Sequence, residues 1–280
     1  MPVTSLHSSP LVPGSSPVEI FYRDEGDSGR PPLVLLHGGW GFSLNPFDHQ
    51  IGMLRSDFRV IAPHRSGYGG STRLGETDDL PPDFHYRAAI ETLSVLDALG
   101  IERATFWGHS DGAVISAILG FTAPERVDGL ILEAFHLYPR KLSSRELFEQ
   151  LAHEPESLGH ELCERFAQEF GSKHWRKLIS SHAKAWLELA AQSAAPTDDL
   201  YRGRLREIRA PALFIHGELD PRTEPGELEA AAAQIPNAEV RILKGAAHSP
   251  HSECASADLS THIARQFLKT GGARIACEGS

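Results

Sequence analysis

Residues 104–117, with the sequence ATFWGHSDGAVISA, constrain the fold more than any other stretch. An apolar run breaks into Gly-His-Ser-Asp-Gly and then resumes with helical spacing, which predicts a strand, a sharp turn and a helix. In a G-x-S-x-G turn the central residue has a strained backbone, so the residues two before and two after it must be small. We therefore expect Ser110 to be exposed at the helix N-terminus, where backbone N–H groups and the helix dipole favour negative charge.

Strand and helix patterns alternate along the rest of the chain. Apolar runs typical of strands covered on both faces occur at 33–36, 59–62, 104–107, 129–132, 212–215 and 239–243, and 18–23 alternates like a strand with one exposed face. Helical stripes occur at 84–99, 114–121, 228–233 and 259–268. This alternation predicts an α/β fold with a mostly parallel central sheet and helices on both faces.

The alternation stops between about residues 135 and 206. Apolar side chains there recur with helical spacing up to Gly171, and a second helical face runs from Trp175 to Trp186. We interpret residues 135–206 as a helical cap over the ends of the strands, and residues 18–134 and 207–270 as the core. The aromatic residues of the cap either line a substrate pocket or pack internally, and packing is the commoner case.

The two ends of the chain carry weaker patterns. Residues 1–17 are rich in Ser and Pro, which predicts a flexible arm with little buried surface. Residues 271–280 are expected to form a C-terminal tail. Neither an export signal nor a membrane span is indicated, so we expect a cytoplasmic protein with no membrane partner.

Composition excludes several classes of function. The formal net charge is -10 and no basic tract is present, so nucleic acid is not an expected partner. Three scattered cysteines, Cys163, Cys254 and Cys277, indicate neither a disulfide framework nor a thiolate metal site. We expect no metal and no cofactor, and the oligomeric state is left open.

Two residues downstream of Ser110 have the chemistry that a serine nucleophile requires, namely a base and a carboxylate that orients the base. Asp220 follows the strand predicted at 212–215, and His248 follows the strand predicted at 239–243. Glu133 also ends a predicted strand and is an alternative acid, and His251 is an alternative base. The expected partner is a small-molecule ester.

The other histidines are predicted to have structural roles. His37 and His109 flank turns and are expected to pack or to form hydrogen bonds. The cap histidines show no metal-ligand spacing, so exposed side chains are expected for His136, His153, His160 and His174.

These motifs resemble the α/β-hydrolase superfamily over about residues 18–268. The matching stretches are HGGWG at 37–41, RSGYGGS at 65–71, GHSDG at 108–112, HGELD at 216–220 and GAAHSPH at 245–251. The resemblance implies that Ser110 is the nucleophile, His248 the general base and acid, and Asp220 the orienting carboxylate. It also implies an oxyanion hole formed by the backbone N–H groups of Gly39 and Asp111, and a cap inserted after the sixth strand.

Asp111 places a carboxylate beside the expected oxyanion, and its negative charge requires a compensating partner. One interpretation is a pair with Arg65, beneath the turn. The other is a cationic substrate, because the GHSDG turn is similar to that of valacyclovir-hydrolase-like α-amino-ester hydrolases, in which this Asp binds the amine. Asp111, Trp40 and His109 are therefore the candidate substrate-binding residues.

The expected function is hydrolysis of a small carboxylic ester through an acyl-enzyme, and α-amino esters are the candidate preferred substrates. Haloalkane dehalogenases and epoxide hydrolases of the superfamily have Asp at the position of Ser110, so their chemistry is not expected. C–C bond hydrolysis and aminopeptidase activity use the same triad and are alternatives. A non-catalytic ligand-binding protein on a hydrolase scaffold is the alternative from a different class.

Overall fold

A computed structural model describes residues 1–75 and 77–271 of the chain. Its eight strands form one sheet in the order β1-β2-β4-β3-β5-β6-β7-β8. The strands are β1 Val3–Leu6, β2 Val18–Glu25, β3 Pro32–Leu36, β4 Arg59–Pro63, β5 Ala104–His109, β6 Val127–Glu133, β7 Ala212–Gly217 and β8 Ala238–Leu243. The pairings β1–β2 and β2–β4 are antiparallel, and all the others are parallel. The predicted mostly parallel sheet is confirmed.

Helices cover both faces of this sheet because the side chains of each buried strand alternate between two apolar clusters. In β3, Val34 and Leu36 point to one cluster, and Leu33 and Leu35 point to the other. The helices are α1 Asp48–Leu54, α2 Phe84–Ala98, α3 Asp111–Thr122, α4 Arg145–His153, α5 His160–Phe170, α6 His174–Gln192, α7 Glu227–Ala232 and α8 Ala257–Thr270. Helices α2 and α3 pack in the first cluster, whereas α1 and α8 pack in the second.

The segment between β6 and β7 contains three longer helices, α4, α5 and α6, together called the cap helices below. Helix α4 packs against α6. Phe166, Phe170 and Trp175 are buried in the first apolar cluster, as packing predicts, while Phe148 and Trp186 also line a cavity above the sheet. No helix within residues 1–75 and 77–271 is long and apolar enough to cross a membrane.

The N-terminal segment differs from the flexible arm predicted for residues 1–17. Residues 3–6 form β1, which pairs with β2 in the register Val3 to Phe21 and Leu6 to Val18. Leu11 and Val12 are buried in the first apolar cluster. The prediction of a loosely packed arm is therefore wrong, because this segment completes one edge of the sheet.

Candidate active site

The turn between β5 and α3 has the geometry that its sequence predicts. Ser110 has φ 54° and ψ -118°, a conformation that is strained for a residue with a side chain. A Cβ atom at Gly108 would collide with the carbonyl oxygen of Gly112, and one at Gly112 would collide with that of Leu36. Only glycine at both positions allows strand and helix to pass so closely. Ser110 itself is 5% exposed rather than open to solvent, because it lines a cavity that also contacts the cap helices.

Asp220 and His248 meet at the same edge of the sheet, each just after a strand. His248 Nδ1 lies 2.9 Å from both carboxylate oxygens of Asp220, and the backbone N–H of Arg222 donates to Oδ1 at 2.9 Å. Burial would raise the pKa of Asp220, but the hydrogen bond and charge of His248 outweigh it, so the pKa is lowered. Burial, aided by the nearby Arg222 charge, lowers the pKa of His248 below its usual value. The imidazole is thus neutral near pH 7, and its buried Nε2 has no protein partner among the described residues.

The hydroxyl of Ser110 contacts a second histidine, which sequence reasoning missed. His136 Nε2 lies 3.2 Å from Ser110 Oγ, and the His136 ring stacks 5.7 Å from the ring of His248. The prediction of an exposed side chain is wrong for His136, which is 5% exposed. Burial, together with the Lys141 charge, holds the pKa of His136 well below its usual value. Its place three residues after β6, at the carboxyl edge of the sheet, is the sequence signal that could have identified it.

The other cap histidines lie away from Ser110. His153 and His160 are exposed, as expected, and His174 is half-buried with Nε2 3.0 Å from the carbonyl oxygen of Gly67. His37, predicted to have a structural role, is buried, with Nδ1 2.7 Å from the carbonyl oxygen of Gly38.

The alternative acid and base, Glu133 and His251, form a separate buried pair. His251 Nδ1 lies 2.7 Å from Glu133 Oε1, and Trp107 Nε1 donates to Glu133 Oε2 at 2.9 Å. The His251 ring stacks on Phe47 at 3.9 Å. Phe47 and Trp107 both belong to the second apolar cluster, so the pair lies against that cluster. Neither side chain of the pair contacts Ser110 among the described interactions.

Asp111 is paired, but not with Arg65. Its Oδ1 accepts hydrogen bonds from His85 Nε2 at 3.0 Å and Trp186 Nε1 at 3.2 Å, and its Oδ2 lies 2.6 Å from His182 Nε2. Burial would raise the pKa of Asp111, but the charges and hydrogen bonds of His182 and His85 outweigh it, and the pKa lies well below its usual value. The carboxylate is therefore ionised and already holds three donors.

Arg65 has other partners. Its guanidinium donates to the carbonyl oxygens of His37 and Gly38, the latter at 2.9 Å. The interpretation in which Arg65 pairs with Asp111 is therefore wrong. Arg65 instead stabilises the backbone of His37 and Gly38, just before Gly39.

A cavity of about 140 Å³ joins the predicted site residues. Its lining includes Ser110 and His248, the predicted oxyanion-hole residues Gly39 and Asp111, and the predicted substrate-binding residues Trp40 and His109. His109 Nε2 also lies 3.0 Å from the carbonyl oxygen of His248, which helps to position the loop that carries the base.

Within residues 1–75 and 77–271, no group of three or more His, Cys, Asp or Glu side chains is arranged to hold a metal ion. Cys163 and Cys254 are free thiols. Cys277 and nearly all of the predicted C-terminal tail lie outside the described residues.

Comparison with known proteins identifies the family. The model of the alpha/beta hydrolase family matches residues 33–260, well over half of the chain. The non-heme haloperoxidase of Rhodococcus erythropolis is 28% identical over 91% of this chain and 99% of its own length. The bifunctional esterase/perhydrolase of Acinetobacter calcoaceticus is 26% identical over 88% and 96%, and the human serine hydrolase BPHL is 22% identical over 90% and 84%.

Solved structures agree on the fold. A thermophilic esterase from Thermogutta terrifontis superposes with a TM-score of 0.72 at 20% identity, over 98% of this chain and 100% of its own. The enol-lactonase of Burkholderia xenovorans superposes with a TM-score of 0.66 at 22% identity, over 90% and 97%. The sheet, the strained serine turn and the family match lead to one conclusion. The chain belongs to the alpha/beta hydrolase family and is an enzyme of the hydrolase type.

Proposed function

We propose that this protein is a serine hydrolase that cleaves small carboxylic esters through an acyl-enzyme. The observation that carries the proposal is the Asp220–His248 pair at 2.9 Å: His248 lines the same cavity as Ser110, and its Nε2 has no partner among the described residues. A serine hydroxyl needs such an oriented base to become a nucleophile. The size of the cavity, about 140 Å³, favours a small substrate.

The proposed reaction begins when the Ser110 side chain turns from His136 toward His248. His248 Nε2 takes the hydroxyl proton while Oγ attacks the ester carbonyl carbon. The resulting oxyanion accepts hydrogen bonds from the backbone N–H groups of Gly39 and Asp111, at the N-terminus of α3. His248 then donates its proton to the leaving alcohol, and water cleaves the acyl-enzyme by the same route.

A preference for α-amino esters is not part of this proposal. An α-ammonium group would need a carboxylate with free acceptor capacity. The Asp111 carboxylate already accepts from His85, His182 and Trp186. The protein's own donors thus occupy three of the roughly four acceptor positions of this carboxylate.

The experiment compares hydrolysis of phenyl acetate, and labelling by a fluorophosphonate probe, in the wild type and two serine variants. We expect Ser110→Ala to lose at least about 10³-fold in kcat/KM and to resist labelling, as loss of a triad nucleophile does. Ser172→Ala, which changes an exposed serine, is the matched control and should behave as the wild type.

Two results would contradict the proposal. Absence of both hydrolysis and labelling in the folded wild type would favour a ligand-binding protein. Labelling of Ser110 without ester hydrolysis would favour C–C bond or amide cleavage by the same triad.

A further inference from the structure

Arg222 brings a positive charge into the cavity beside the triad. It lies two residues after Asp220 and lines the same cavity as Ser110 and His248. Its guanidinium carbon lies 4.5 Å from the ring centroid of Trp40. Among residues 1–75 and 77–271, no hydrogen bond or ion pair of this guanidinium occurs; only its backbone N–H is bonded, to Asp220.

The other charged side chains that line the cavity are all paired. Asp111 holds two histidines and a tryptophan. Lys141 pairs with the buried Glu227, which also accepts the backbone N–H of Leu137 at 2.7 Å. Asp220, just behind the cavity, is occupied by His248. Arg222 is therefore the cation in this part of the described structure whose charge the protein does not balance by direct contact.

A partly buried charge without a partner costs free energy, so such a group is commonly balanced by a ligand. A guanidinium over an aromatic ring can still donate its N–H groups in its own plane, and a pair of these groups matches the two oxygens of a carboxylate. A single guanidinium in a cavity of about 140 Å³ suits a compact monoanion better than a phosphate dianion.

We propose that Arg222 binds a carboxylate group on the substrate, so that the preferred substrates are small esters that also carry a free carboxylate. This inference rests on the proposed ester hydrolysis and specifies its substrate class. Trp40 directly follows Gly39, and Arg222 follows Asp220 by two residues. The bound carboxylate would therefore lie between the turn that contains Gly39 and the loop that contains Asp220.

Two matched pairs of esters test the inference. Monophenyl glutarate and its methyl ester place the carboxylate on the acyl side, and 3-acetoxybenzoate and its methyl ester place it on the alcohol side. In the wild type, we expect the charged member of one pair to exceed its neutral partner at least tenfold in kcat/KM. That ratio should fall below threefold in Arg222→Met and stay intermediate in Arg222→Lys.

Arg209→Met is the matched control, because it removes the same charge from an exposed position away from the cavity. The ratio in this variant should equal that of the wild type. A second measurement needs no variant: glutarate should inhibit hydrolysis of phenyl acetate by the wild type at least tenfold more strongly than the neutral glutaramide.

The outcomes separate the two proposals. Hydrolysis of the neutral esters with no preference for the charged members, or with a preference that persists in Arg222→Met, would overturn the role of Arg222 and leave the esterase in place. No hydrolysis of any ester, with Ser110 unlabelled, would overturn both.

Discussion

Two histidines, His136 and His248, line the cavity beside Ser110, and only one of them has the partner that a general base requires. His248 Nδ1 is held by both oxygens of Asp220, whereas His136 Nδ1 has no partner among the described residues. A carboxylate on Nδ1 fixes the tautomer and stabilises the imidazolium that forms during the reaction. The contact of Ser110 with His136 is therefore expected to position the resting hydroxyl, while His248 moves the proton.

This difference predicts unequal effects of removing the two rings. We expect His248→Ala to lower kcat/KM by at least about 10³-fold. His136→Ala removes a hydrogen bond that the resting hydroxyl gives up before it reacts, so kcat/KM should change by less than about fivefold. Steady-state kinetics with phenyl acetate measure both. A larger loss in His136→Ala than in His248→Ala would assign the base to His136 instead.

Local motifs could predict which residues lie at the carboxyl edge of the sheet, but they could not predict which side chains form hydrogen bonds with each other. A recognisable strand precedes each of Ser110, Asp220 and His248. Their common place at one edge of the sheet was therefore predictable from the sequence alone. The partners of Asp111 come from α2 and α6, far away in sequence, and nothing near His85 or His182 marks them as donors to that carboxylate. Arg65 was the candidate cation for Asp111 in the sequence, but its guanidinium donates hydrogen bonds to two backbone carbonyl oxygens instead.

Among the elements, β1 and the turn after it close over a buried carboxylate in α2. Ser9 Oγ donates to Glu91, which also accepts the backbone N–H of Ser66 at 2.8 Å. Burial raises the pKa of Glu91 despite these hydrogen bonds. The N-terminal segment thus supplies a donor that this buried group needs.

We expect Ser9→Ala to lower the free energy of unfolding by about 1–3 kcal/mol, because it leaves a buried acceptor without one partner. The neighbouring Ser8 is exposed, and Ser8→Ala should change stability by less than about 0.5 kcal/mol. Urea denaturation of both variants provides the comparison. Equal stabilities would mean that the N-terminal segment does not support α2.

Elements with many apolar positions were predictable, and short ones were not. Strand β2 alternates, the six strands from β3 onward contain short apolar runs, and helices α2, α3 and α6 carry period-3.6 patterns. Strand β1 has four residues, and α1 has seven, too few for a period to stand out. Strand β1 is held by its pairing with β2, and the sequence of four residues in β1 does not specify which strand it pairs with.

On the scale of the whole molecule, the buried histidines should make the fold sensitive to acid. Burial lowers the pKa of His37, His85, His109 and His136 below the usual value of 6.5. Below pH 6.5 the unfolded chain binds protons at these positions while the native protein does not. The free energy of unfolding therefore falls with decreasing pH, by up to about 1.4 kcal/mol per pH unit for each group.

The measurement is urea denaturation at pH 7.5, 6.5 and 5.5. Half of these histidines are protonated in the unfolded chain at pH 6.5, so we expect a loss of about 1–2 kcal/mol at the second value and a larger loss at the third. Asp111 and Asp220 have lowered pKa values and stay ionised across this range, so they do not mask the effect. Constant stability from pH 7.5 to 5.5 would show that the histidines titrate in the native protein as they do in the unfolded chain.

The three donors on Asp111 also join the cap to the serine turn. Two of them, His182 and Trp186, belong to α6, and the third, His85, belongs to α2. Lifting α6 away from the sheet would admit water to this carboxylate, so each lost hydrogen bond is partly replaced and costs about 0.5–1.5 kcal/mol net. The residue beside Ser110 thus senses the position of the cap: a substrate that displaces α6 also changes the contacts of Asp111.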